Sequence, residues 1–390
     1  MDKIKNLGQV FTPEDITDLM FGLSKNKGSI LEPSSGDGIF TKKIKNLSDR
    51  NIKSIEFDIT YENNDNIIMD FFDLLITEKF DTIIGNPPYV AFKNIVESTL
   101  EKIKNYDFLN SFDNRTNLFI YFIRKCLEHL TINGEIIFIT PREFIKLTSS
   151  IKLNNLLYEL GTITHWYEYG DKPIFKGYSP NVVIWRFEKN NFTRKTETFN
   201  GVKNFSLNQG QIFFTDFNYK YNMSDLFFIK VGAVSGADEL FMNELGNREF
   251  VCSYTKKTGK LKRMFYNVKN ELLEKNKDIL ITRKVKNFNE DNWWKWGRDY
   301  YETDSKRIYV NCKTRDKNPF FQNDCKSYDG SILALFPKFD FDLDLATKLL
   351  NSMNWDDLGF KVGERLCFTQ KSLQNVGLPN EFEKIFEEKI

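Results

Sequence analysis

The side chains best suited to chemistry in this sequence follow an apolar run, in the stretch "DTIIGNPPYVAF" (81–92). Asn86 comes after a glycine, two prolines follow it, and Tyr89 comes next. The prolines restrict the backbone, so the Pro87 carbonyl oxygen and the Asn86 amide oxygen become two fixed acceptors beside an aromatic ring. Taken alone, the same four residues would also serve as a turn that closes a strand.

A second candidate site is the glycine turn in "ILEPSSGDGIF" (30–40). The pattern predicts a buried strand that ends at Glu32, with Gly36 and Gly38 in the turn before a helix. Ligands of open α/β sheets bind at such strand ends, and glycine lets the backbone approach them closely. The turn lacks a phosphate-loop pattern and carries acidic residues, which favours a cationic or hydroxyl-bearing ligand over a triphosphate. A generic strand-to-helix turn is the alternative for this motif alone.

Two further carboxylates stand at predicted strand ends. Glu56 follows the glycines by about 20 residues, a spacing at which an acidic side chain can bond ribose hydroxyls. Asp70 precedes Phe71, and this pair could bind and stack on an adenine ring. Asp58 lies close to Glu56, so the residue type alone leaves open which carboxylate meets the ribose.

The elements that must position these residues alternate between strand and helix from residue 1 to about 200. This alternation predicts an α/β fold with a mostly parallel sheet covered on both faces. Thr12 and Pro13 are predicted as the N-cap and first residue of a helix. The periodicity weakens after about residue 225, and the chain is therefore predicted to form two domains, 1–220 and 221–390, the second of mixed α+β structure.

The composition excludes several other classes of protein. With 41% hydrophobic and 28% charged residues, the chain is expected to fold around real cores. It shows no signal peptide and no apolar run near 18 residues, which predicts a soluble cytoplasmic protein without a membrane partner. The five cysteines include no CxxC pair and the two histidines share no ligand spacing, so neither a metal site nor a histidine-dependent triad is predicted.

Charge is distributed unevenly along the chain, although the net charge is only +1. Residues 254–317 hold 18 Lys and Arg against 9 Asp and Glu, whereas residues 1–200 hold 25 against 27. A basic stretch within a neutral protein is one part of a nucleic-acid-binding signature. A solvated charged surface is the simpler interpretation of charge alone.

In combination the motifs carry a family resemblance. In chain order, "GQVFTP", "ILEPSSGDGIF", "SIEFD", "MDFFD" and "GNPPYV" resemble the motif series of the gamma class of amino-methylating DNA methyltransferases, the TaqI-like adenine-N6 enzymes of restriction-modification systems. The resemblance is close over residues 8–187 and looser at 231–241 and 368–379. It implies a Rossmann-like S-adenosylmethionine-dependent methyltransferase domain at 1–220 and a DNA target-recognition domain at 221–390.

The resemblance also assigns roles to individual residues. It implies that Glu32 and Asp37 line the methionine side of S-adenosylmethionine and that Glu56 holds the ribose. Asp70 and Phe71 hold the adenine. The full set of implied cofactor-binding residues is Phe11, Thr12, Pro13, Glu32, Pro33, Ser34, Gly36, Asp37, Gly38, Glu56, Asp70, Phe71 and Asn86.

The catalytic residues implied in the same way are Asn86, Pro87, Pro88 and Tyr89. An exocyclic amine of a nucleobase is a poor nucleophile because its lone pair is delocalised into the ring. Acceptors on its two N–H groups favour a pyramidal nitrogen, which returns the lone pair. A base inside a duplex is out of reach, so it must be flipped out. By the resemblance, Tyr89 and Phe175 then stack on it.

Contacts with DNA are predicted in the basic stretch. Lysines there would neutralise phosphates, and arginines could contact guanine edges. The candidate residues are Lys256, Lys257, Lys260, Lys262, Arg283, Arg298 and Arg315. The alternative is that Trp293, Trp294 and Trp296 form a local core and that the charges only solvate it.

Two other functions compete with this prediction. Methyltransferases acting on protein glutamine or on RNA share the NPPY motif, and a non-catalytic DNA specificity subunit could retain the fold. The large basic and aromatic second domain opposes the first alternative, and the intact NPPY opposes the second. The sequence thus predicts a monomer that acts on double-stranded DNA, with a cognate restriction endonuclease acting separately. The same acceptors would also serve cytosine N4.

Overall fold

The computed structural model describes residues 12–47, 52–56, 67–105, 116–169, 174–175, 181–216, 219–362 and 364–387. The chain divides into two compact units, Met1–Phe217 (unit 1) and Asn218–Ile390 (unit 2). This division lies close to the boundary predicted after residue 220. No helix within the described ranges is long and apolar enough to cross a membrane.

Unit 1 alternates helices with strands in its first half and ends in a run of strands. Its elements are α1 (Glu14–Gly22), β1 (Ile30–Glu32), α2 (Ile39–Leu47), β2 (Ile52–Glu56), β3 (Ile67–Ile68), β4 (Phe80–Gly85), α3 (Glu97–Lys104), α4 (Leu118–His129), β5 (Leu130–Pro141), α5 (Ile151–Leu160), β6 (Gly161–Glu168), β7 (Val182–Lys189), β8 (Lys195–Thr198), β9 (Gly201–Asn208) and β10 (Gln211–Thr215). Short 3₁₀ turns at Phe71–Asp73 and Phe92–Asn94 follow β3 and β4.

The described strands of unit 1 form one sheet in the order β10-β9-β8-β6-β7-β5-β4-β1-β2-β3. Within the run β3-β2-β1-β4-β5, each strand is parallel to the next. Strand β7 is antiparallel to both β5 and β6, and β8 to β10 extend the sheet mainly as antiparallel hairpins. The predicted α/β fold with a parallel sheet core is confirmed.

Apolar side chains are buried on both faces of this sheet. Successive side chains of a strand point to opposite faces, so adjacent residues enter different clusters. Ile83 packs in one apolar cluster with residues of α4 and α5, whereas Ile84 packs in another with Ile16 and Met20 of α1. Helices thus cover the sheet on each side, and the strand ends remain for function.

The first helix begins one residue later than predicted. Pro13 is the N-cap, with extended backbone angles of φ −61° and ψ 155°, and α1 starts at Glu14. Thr12 is therefore not the cap, and the Thr17 amide donates to the Pro13 carbonyl at 3.0 Å. This shift leaves the hydroxyl of Thr12 available for the site described below.

A buried ion pair stabilises the sheet near the start of β4. The guanidinium of Arg186 on β7 lies 2.6 Å from the carboxylate of Glu135 on β5, and both side chains are fully buried or nearly so. Glu135 also accepts from the Thr82 hydroxyl at 2.9 Å and from backbone amides of Lys25 and Asn26. Several donors thus compensate this carboxylate for its lost hydration.

Unit 2 consists of short elements around an aromatic core. They are β11 (Tyr221–Asn222), α6 (Met223–Leu226), β12 (Phe227–Val231), α7 (Asp238–Phe241), β13 (Arg248–Phe250), α8 (Thr255–Thr258), β14 (Lys262–Met264), α9 (Glu271–Glu274), α10 (Lys277–Ile281), β15 (Ile308–Asn311), β16 (Lys313–Thr314), β17 (Phe320–Phe321), β18 (Ile332–Pro337), α11 (Leu343–Ser352), β19 (Lys361–Val362), β20 (Arg365–Cys367), α12 (Gln370–Gln374), β21 (Gly377–Leu378) and α13 (Glu383–Glu387).

The described strands of unit 2 form a four-stranded sheet, β12-β18-β15-β17, a three-stranded sheet, β16-β20-β19, and two pairs. Trp293 and Trp296 are buried, with Trp296 stacked on Phe250 at a ring separation of 4.9 Å. For these two rings the local-core alternative is correct, because they pack inside the unit.

Candidate functional site

The carboxyl edge of the parallel strands brings the predicted site residues of unit 1 together. Because β3, β2, β1 and β4 are neighbours in this order, their ends present Asp70, Glu56, the glycine turn and Asn86 in a row. Neighbouring strands lie about 4.8 Å apart, so the row spans roughly 14 Å. This length suits an extended ligand made of a base, a sugar and an amino acid.

The glycine turn after β1 is shaped by backbone conformations that favour glycine. Gly36 and Gly38 have φ values of 55° and 75°, in the left-handed region. The Asp37 carboxylate accepts from the Ile39 amide at 3.3 Å at the start of α2, and the Ser35 amide donates to the Ile55 carbonyl on β2 at 2.9 Å. The turn is thus fixed to the neighbouring strand.

Glu32 lies beneath this turn and is fully buried. Its Oε2 atom accepts from the hydroxyl of Thr41 and, at 3.0 Å, from that of Ser54. The hydroxyl oxygens of Thr41 and Ser54 lie 2.7 Å apart. These bonds give Glu32 a part in joining β1, α2 and β2, in addition to the cofactor role that the resemblance implies. Pro33, the next residue, is also buried, and Ser34 is partly buried.

Glu56 ends β2, where its backbone pairs with Ile68 of β3. Its side chain lies outside the described residues, as do Phe11 and Asp58, so the structure adds no contact for these three predictions. The strand register nevertheless places residue 56 between the glycine turn and Asp70 on the sheet edge.

Asp70 caps the 3₁₀ turn Phe71–Asp73, which follows β3. One carboxylate oxygen accepts from the Phe72 amide at 3.0 Å, and the other accepts from the Thr99 hydroxyl at 2.6 Å. Lys102 lies 3.5 Å from Asp70, and its hydrogen bond to Asp73 raises the pKa of Lys102. The turn is therefore tied to α3.

The Phe71 ring is buried and packs on Phe122 with a ring separation of 4.9 Å. The ammonium of Lys125 lies beneath, 5.2 Å from the centre of this ring, and donates to the Phe72 carbonyl at 2.7 Å. Burial lowers the pKa of Lys125 to about 8 and that of nearby His129 to about 4. A buried ammonium thus supports the turn from inside the core.

Asn86 stands at the end of β4 and contacts the other two segments of the site. Its side-chain amide donates to the Thr12 hydroxyl at 3.2 Å, and its backbone carbonyl accepts from the Ser34 hydroxyl at 3.1 Å. The first contact fixes the amide plane and turns the side-chain oxygen away from Thr12. Sequence reasoning associated both Thr12 and Ser34 with the cofactor, but it did not predict these bonds.

The double proline directs the backbone that follows Asn86. The Val90 amide donates to the Pro88 carbonyl at 3.2 Å, and the Val90 carbonyl accepts from the Leu118 amide at 2.8 Å. Among the described residues, no hydrogen bond uses the Pro87 carbonyl. Of the two proline carbonyls, the one beside Asn86 is therefore the acceptor suited to a substrate.

Tyr89 and Phe175 contact the same apolar cluster, which includes Ile84 and Ile139. The Tyr89 hydroxyl donates to the Ile139 carbonyl at 2.9 Å, and its ring lies edge-on to Phe119. Phe175 is buried in the cluster, at 2% exposure, so a base could stack on it only after that ring is uncovered. The structure thus brings the two predicted rings to one region without placing them as an open pair.

Candidate DNA contacts in unit 2 differ in their surroundings. Lys257 and Lys260 are exposed, whereas Lys256 bonds Asp316 at 2.6 Å. Lys262 lies 3.0 Å from Asp238 and 2.6 Å from Asp329, and these aspartates raise its pKa despite partial burial. Only the first two lysines are fully suited to meet phosphates from the surface.

The three candidate arginines also differ in burial and in hydrogen-bond partners. The guanidinium of Arg283 is buried and donates to the carbonyls of Leu280 at 2.7 Å and Lys295 at 2.9 Å, among others. This structural role argues against the predicted contact between Arg283 and a guanine edge. Arg298 is exposed but donates to the Gly232 carbonyl at 3.0 Å, and Arg315 is exposed.

The supporting residues Thr41, Ser54, Thr99 and Lys125 were not predicted from the sequence. Each reaches the site through packing, and Thr99 meets Asp70 across 29 residues of chain. The one available signal was Lys125, a basic residue on the apolar face of a helix-forming segment, "NLFIYFIRKCLEHL".

The fold and the strand-end site together define a class of protein. The sheet order 3-2-1-4-5-7-6, in which β7 is antiparallel, agrees with the Rossmann-like fold of S-adenosylmethionine-dependent methyltransferases that the sequence resemblance implied. Residues 15–175 match the model of the Eco57I restriction-modification methylase family. Over these residues unit 1 is similar to restriction-modification methylases, in agreement with the predicted methyltransferase fold.

Individual relatives agree with this assignment. Over 195 residues the chain is 35% identical to the type II methyltransferase M.HincII of Haemophilus influenzae. The matched region covers 48% of this chain and 39% of that protein. Over 181 residues it is 30% identical to the type II methyltransferase M.AccI of Acinetobacter calcoaceticus, covering 41% of this chain and 33% of the relative. The chain thus spans about two fifths or less of the length of these curated relatives.

A solved structure extends the similarity in fold to both units. The type IIL restriction-modification enzyme MmeI, solved in complex with DNA, matches 99% of this chain and 66% of its own with a TM-score of 0.61. At 12% identity this match concerns the fold alone.

S-adenosylmethionine is the cofactor of this class, and the residues at the strand ends fit it. The positive φ angles of Gly36 and Gly38 favour glycine at both positions. Because glycine has no side chain, the methionine part of the cofactor could approach the backbone of the turn closely. Asp37 is the acidic residue of that turn, and Asp70 lies two strands further along the edge. Carboxylates along this row suit the amino group, the hydroxyls and the adenine of that molecule.

Proposed function

We propose that unit 1 transfers a methyl group from S-adenosylmethionine to the N6 amine of an adenine in double-stranded DNA. The proposal depends mainly on the position of Asn86, at the end of β4 and beside the glycine turn of β1. A methyl acceptor held at Asn86 lies next to the part of the edge assigned to the methionine side of the cofactor. The similarity to type II methyltransferases supports DNA as the substrate.

Asn86 and Pro87 prepare the amine for attack. The Asn86 amide oxygen and the Pro87 carbonyl oxygen each accept one N–H of the exocyclic amine, which favours a pyramidal nitrogen. Thr12 fixes the Asn86 amide, and the proline pair fixes the carbonyl, so both acceptors are arranged before the substrate binds.

The cofactor supplies an activated methyl group on a sulfonium. The amine nitrogen held by Asn86 and Pro87 would attack this methyl carbon as the carbon–sulfur bond breaks with its electron pair going to sulfur, and one amine proton would leave to water. In-line positioning is the main task left to the protein, and it can lower a barrier by several kcal/mol, up to about 7–11 kcal/mol in well-oriented systems.

The target base must leave the duplex to reach Asn86. Tyr89 lies three residues after Asn86 and is only partly buried, so its ring can receive the flipped base. Phe175 is the second ring of the proposed clamp, and it has to emerge from its cluster to act. A separately acting restriction endonuclease is the partner that such a modification enzyme implies.

The test is methyl transfer from radiolabelled S-adenosylmethionine to mixed-sequence duplex DNA, followed by identification of the modified nucleoside. We expect N6-methyladenine, and Asn86→Ala should abolish transfer while cofactor binding is retained. Asn94→Ala, at an exposed residue of the next 3₁₀ turn, is the matched control. Label found only in RNA or protein would contradict the proposal, and N4-methylcytosine would correct the target base.

A further inference from the structure

The small sheet β16-β20-β19 and the residue after β16 carry three basic side chains, Lys313, Arg315 and Arg365. Lys313 pairs with Cys367 and Thr314 with Leu366, and Arg315 directly follows the end of β16. Arg365 and Cys367 are two residues apart on β20, so Arg365 lies on the same face of the sheet as Lys313. All three are exposed.

A second basic segment adjoins this sheet. The ammonium of Lys256 on α8 donates to the Asp316 carboxylate at 2.6 Å and also to the Asn318 carbonyl. Asn311, at the end of β15, donates to the Ser253 carbonyl at 2.7 Å. These contacts hold the turn at 255–260, with exposed Lys257 and Lys260, beside the loop that carries Lys313, Arg315 and Lys317.

The charges of this surface are poorly balanced. The acidic residue of the loop, Asp316, is engaged by Lys256. Within the described ranges, no ion pair involves the six exposed residues Lys257, Lys260, Lys313, Arg315, Lys317 and Arg365, here named the basic cluster. Neighbouring positive charges repel one another, so an anionic partner would relieve a cost already present in the free protein.

We propose that the basic cluster binds the phosphate backbone of duplex DNA. This inference rests on the proposed function and adds the surface of unit 2 that holds the substrate. Side chains two residues apart on a strand are separated by roughly 6.8 Å, and each DNA strand presents a phosphate every ~3.4 Å of axis rise, so successive basic residues can each meet a phosphate. The exposed and extended arrangement suits such a polyanion better than a small anion, which needs donors converging on one point.

Contacts of this kind are independent of base sequence. The cluster therefore sets the affinity of the protein for any duplex and the position of unit 2 on it, whereas discrimination between sequences comes from other residues. Lys262 and Arg283 belong to the interior of unit 2 and have no part in the cluster.

The experiment compares two variants that each lose four positive charges. The cluster variant carries Lys→Gln at 257, 260, 313 and 317, and the control carries Lys→Gln at 275, 284, 338 and 348, all exposed lysines of unit 2. Dissociation constants for a random-sequence duplex are measured for wild type and both variants between about 50 and 200 mM salt, the range over which phosphate contacts are strongly screened.

We expect the cluster variant to bind at least about tenfold more weakly at low salt, with a salt dependence flattened by roughly 0.9 for each phosphate that the variant no longer neutralises. Equal slopes for the cluster and control variants would overturn the inference while leaving the proposed function intact. Failure of the wild type to bind or methylate any DNA would instead overturn the proposed function and this inference with it.

Discussion

Asn86 donates from its side-chain amide to the hydroxyl of Thr12 over 3.2 Å. The contact joins the end of β4 to the segment that precedes α1, 74 residues earlier in the chain. A residue expected to cap a helix thus orients the side chain proposed to activate the substrate amine.

The contact gives a prediction for Thr12→Val. Loss of the hydroxyl removes a hydrogen bond of about 0.5–1.5 kcal/mol, so the free energy of unfolding should fall by no more than this amount. Because Asn86 loses the contact that orients it, kcat for methyl transfer should fall roughly two- to tenfold. Thr12→Ser retains the hydroxyl and should restore kcat. A Thr12→Val enzyme with unchanged kcat would show that Asn86 is oriented by other contacts.

Cofactor affinity should depend on Glu56 and Asp70. Each is proposed to bind a different part of the nucleoside, so Glu56→Ala and Asp70→Ala should each weaken binding by roughly 0.5–1.5 kcal/mol, or up to about 3 kcal/mol where the carboxylate charge assists the bond. Calorimetric titration with S-adenosylhomocysteine measures the change. Thr99→Val serves as a control for Asp70, because it removes the 2.6 Å bond to that carboxylate without removing the charge. Unchanged dissociation constants for both alanine variants would place the nucleoside elsewhere.

Base flipping should require Tyr89 and Phe175. Stacking of a base on an aromatic side chain contributes about 1–3 kcal/mol per ring. With 2-aminopurine at the target position, wild-type protein should raise the fluorescence on binding, and Tyr89→Ala and Phe175→Ala should reduce that change. Tyr89→Phe separates stacking from the hydroxyl bond to Ile139 and should flip normally. Normal flipping and turnover in both alanine variants would exclude the clamp.

Removing the charge of Glu135 should destabilise unit 1. Glu135→Gln leaves the Arg186 guanidinium with Glu188 as its remaining acidic partner, and breaking a buried pair in this way costs about 3–5 kcal/mol. Urea unfolding of wild type and variant measures the destabilisation. The double variant Glu135→Leu with Arg186→Met removes both charges, so it should recover much of that stability. A double variant as unstable as the single one would mean that packing dominates over charge.

His129 should make stability depend on pH. Burial lowers its pKa to about 4, below the ordinary 6.5, while its Nδ1 atom lies 2.8 Å from the Glu78 carbonyl. The unfolded chain therefore takes up a proton below about pH 6.5 but the folded chain only near pH 4, so folding stability falls as the pH drops through this window.

The comparison with His129→Asn isolates this effect, because carboxylates titrate alike in both proteins. The stability of wild type relative to the variant should decrease by up to about 3 kcal/mol between pH 7 and pH 4, measured by urea unfolding at each pH. A difference that stays constant over this range would mean that His129 is protonated with its ordinary pKa.

Local motifs were the most predictable part of the protein. Proline and glycine act on their own backbone, so the turn at Gly36 and Gly38 and the strand end at Asn86 could be predicted from short stretches. The placement of carboxylates along one edge of the sheet also followed, since strand alternation implies parallel pairing, but the order of the strands did not. The start of α1 was displaced by one residue because Pro13 adopts extended angles.

Contacts made through tertiary packing were not predictable. The bonds from Thr41 and Ser54 to Glu32 join three separate elements, and no local pattern records them. In unit 2 an arginine in a basic stretch is equally compatible with a surface and with the buried position that Arg283 occupies. Aromatic and basic residues mixed without periodicity therefore leave burial undetermined from sequence.

The unequal edges of the unit 1 sheet have a consequence for local unfolding. Strand β5 pairs along its length with β4 and β7, whereas β3 has two residues, both exposed, at the sheet margin. Amide hydrogens of β5 should therefore exchange with solvent only on global unfolding, and those near β3 through small, frequent openings. The adenine of S-adenosylmethionine is proposed to bind beside β3. Binding of the cofactor should therefore slow amide hydrogen exchange most at this least stable edge of the sheet.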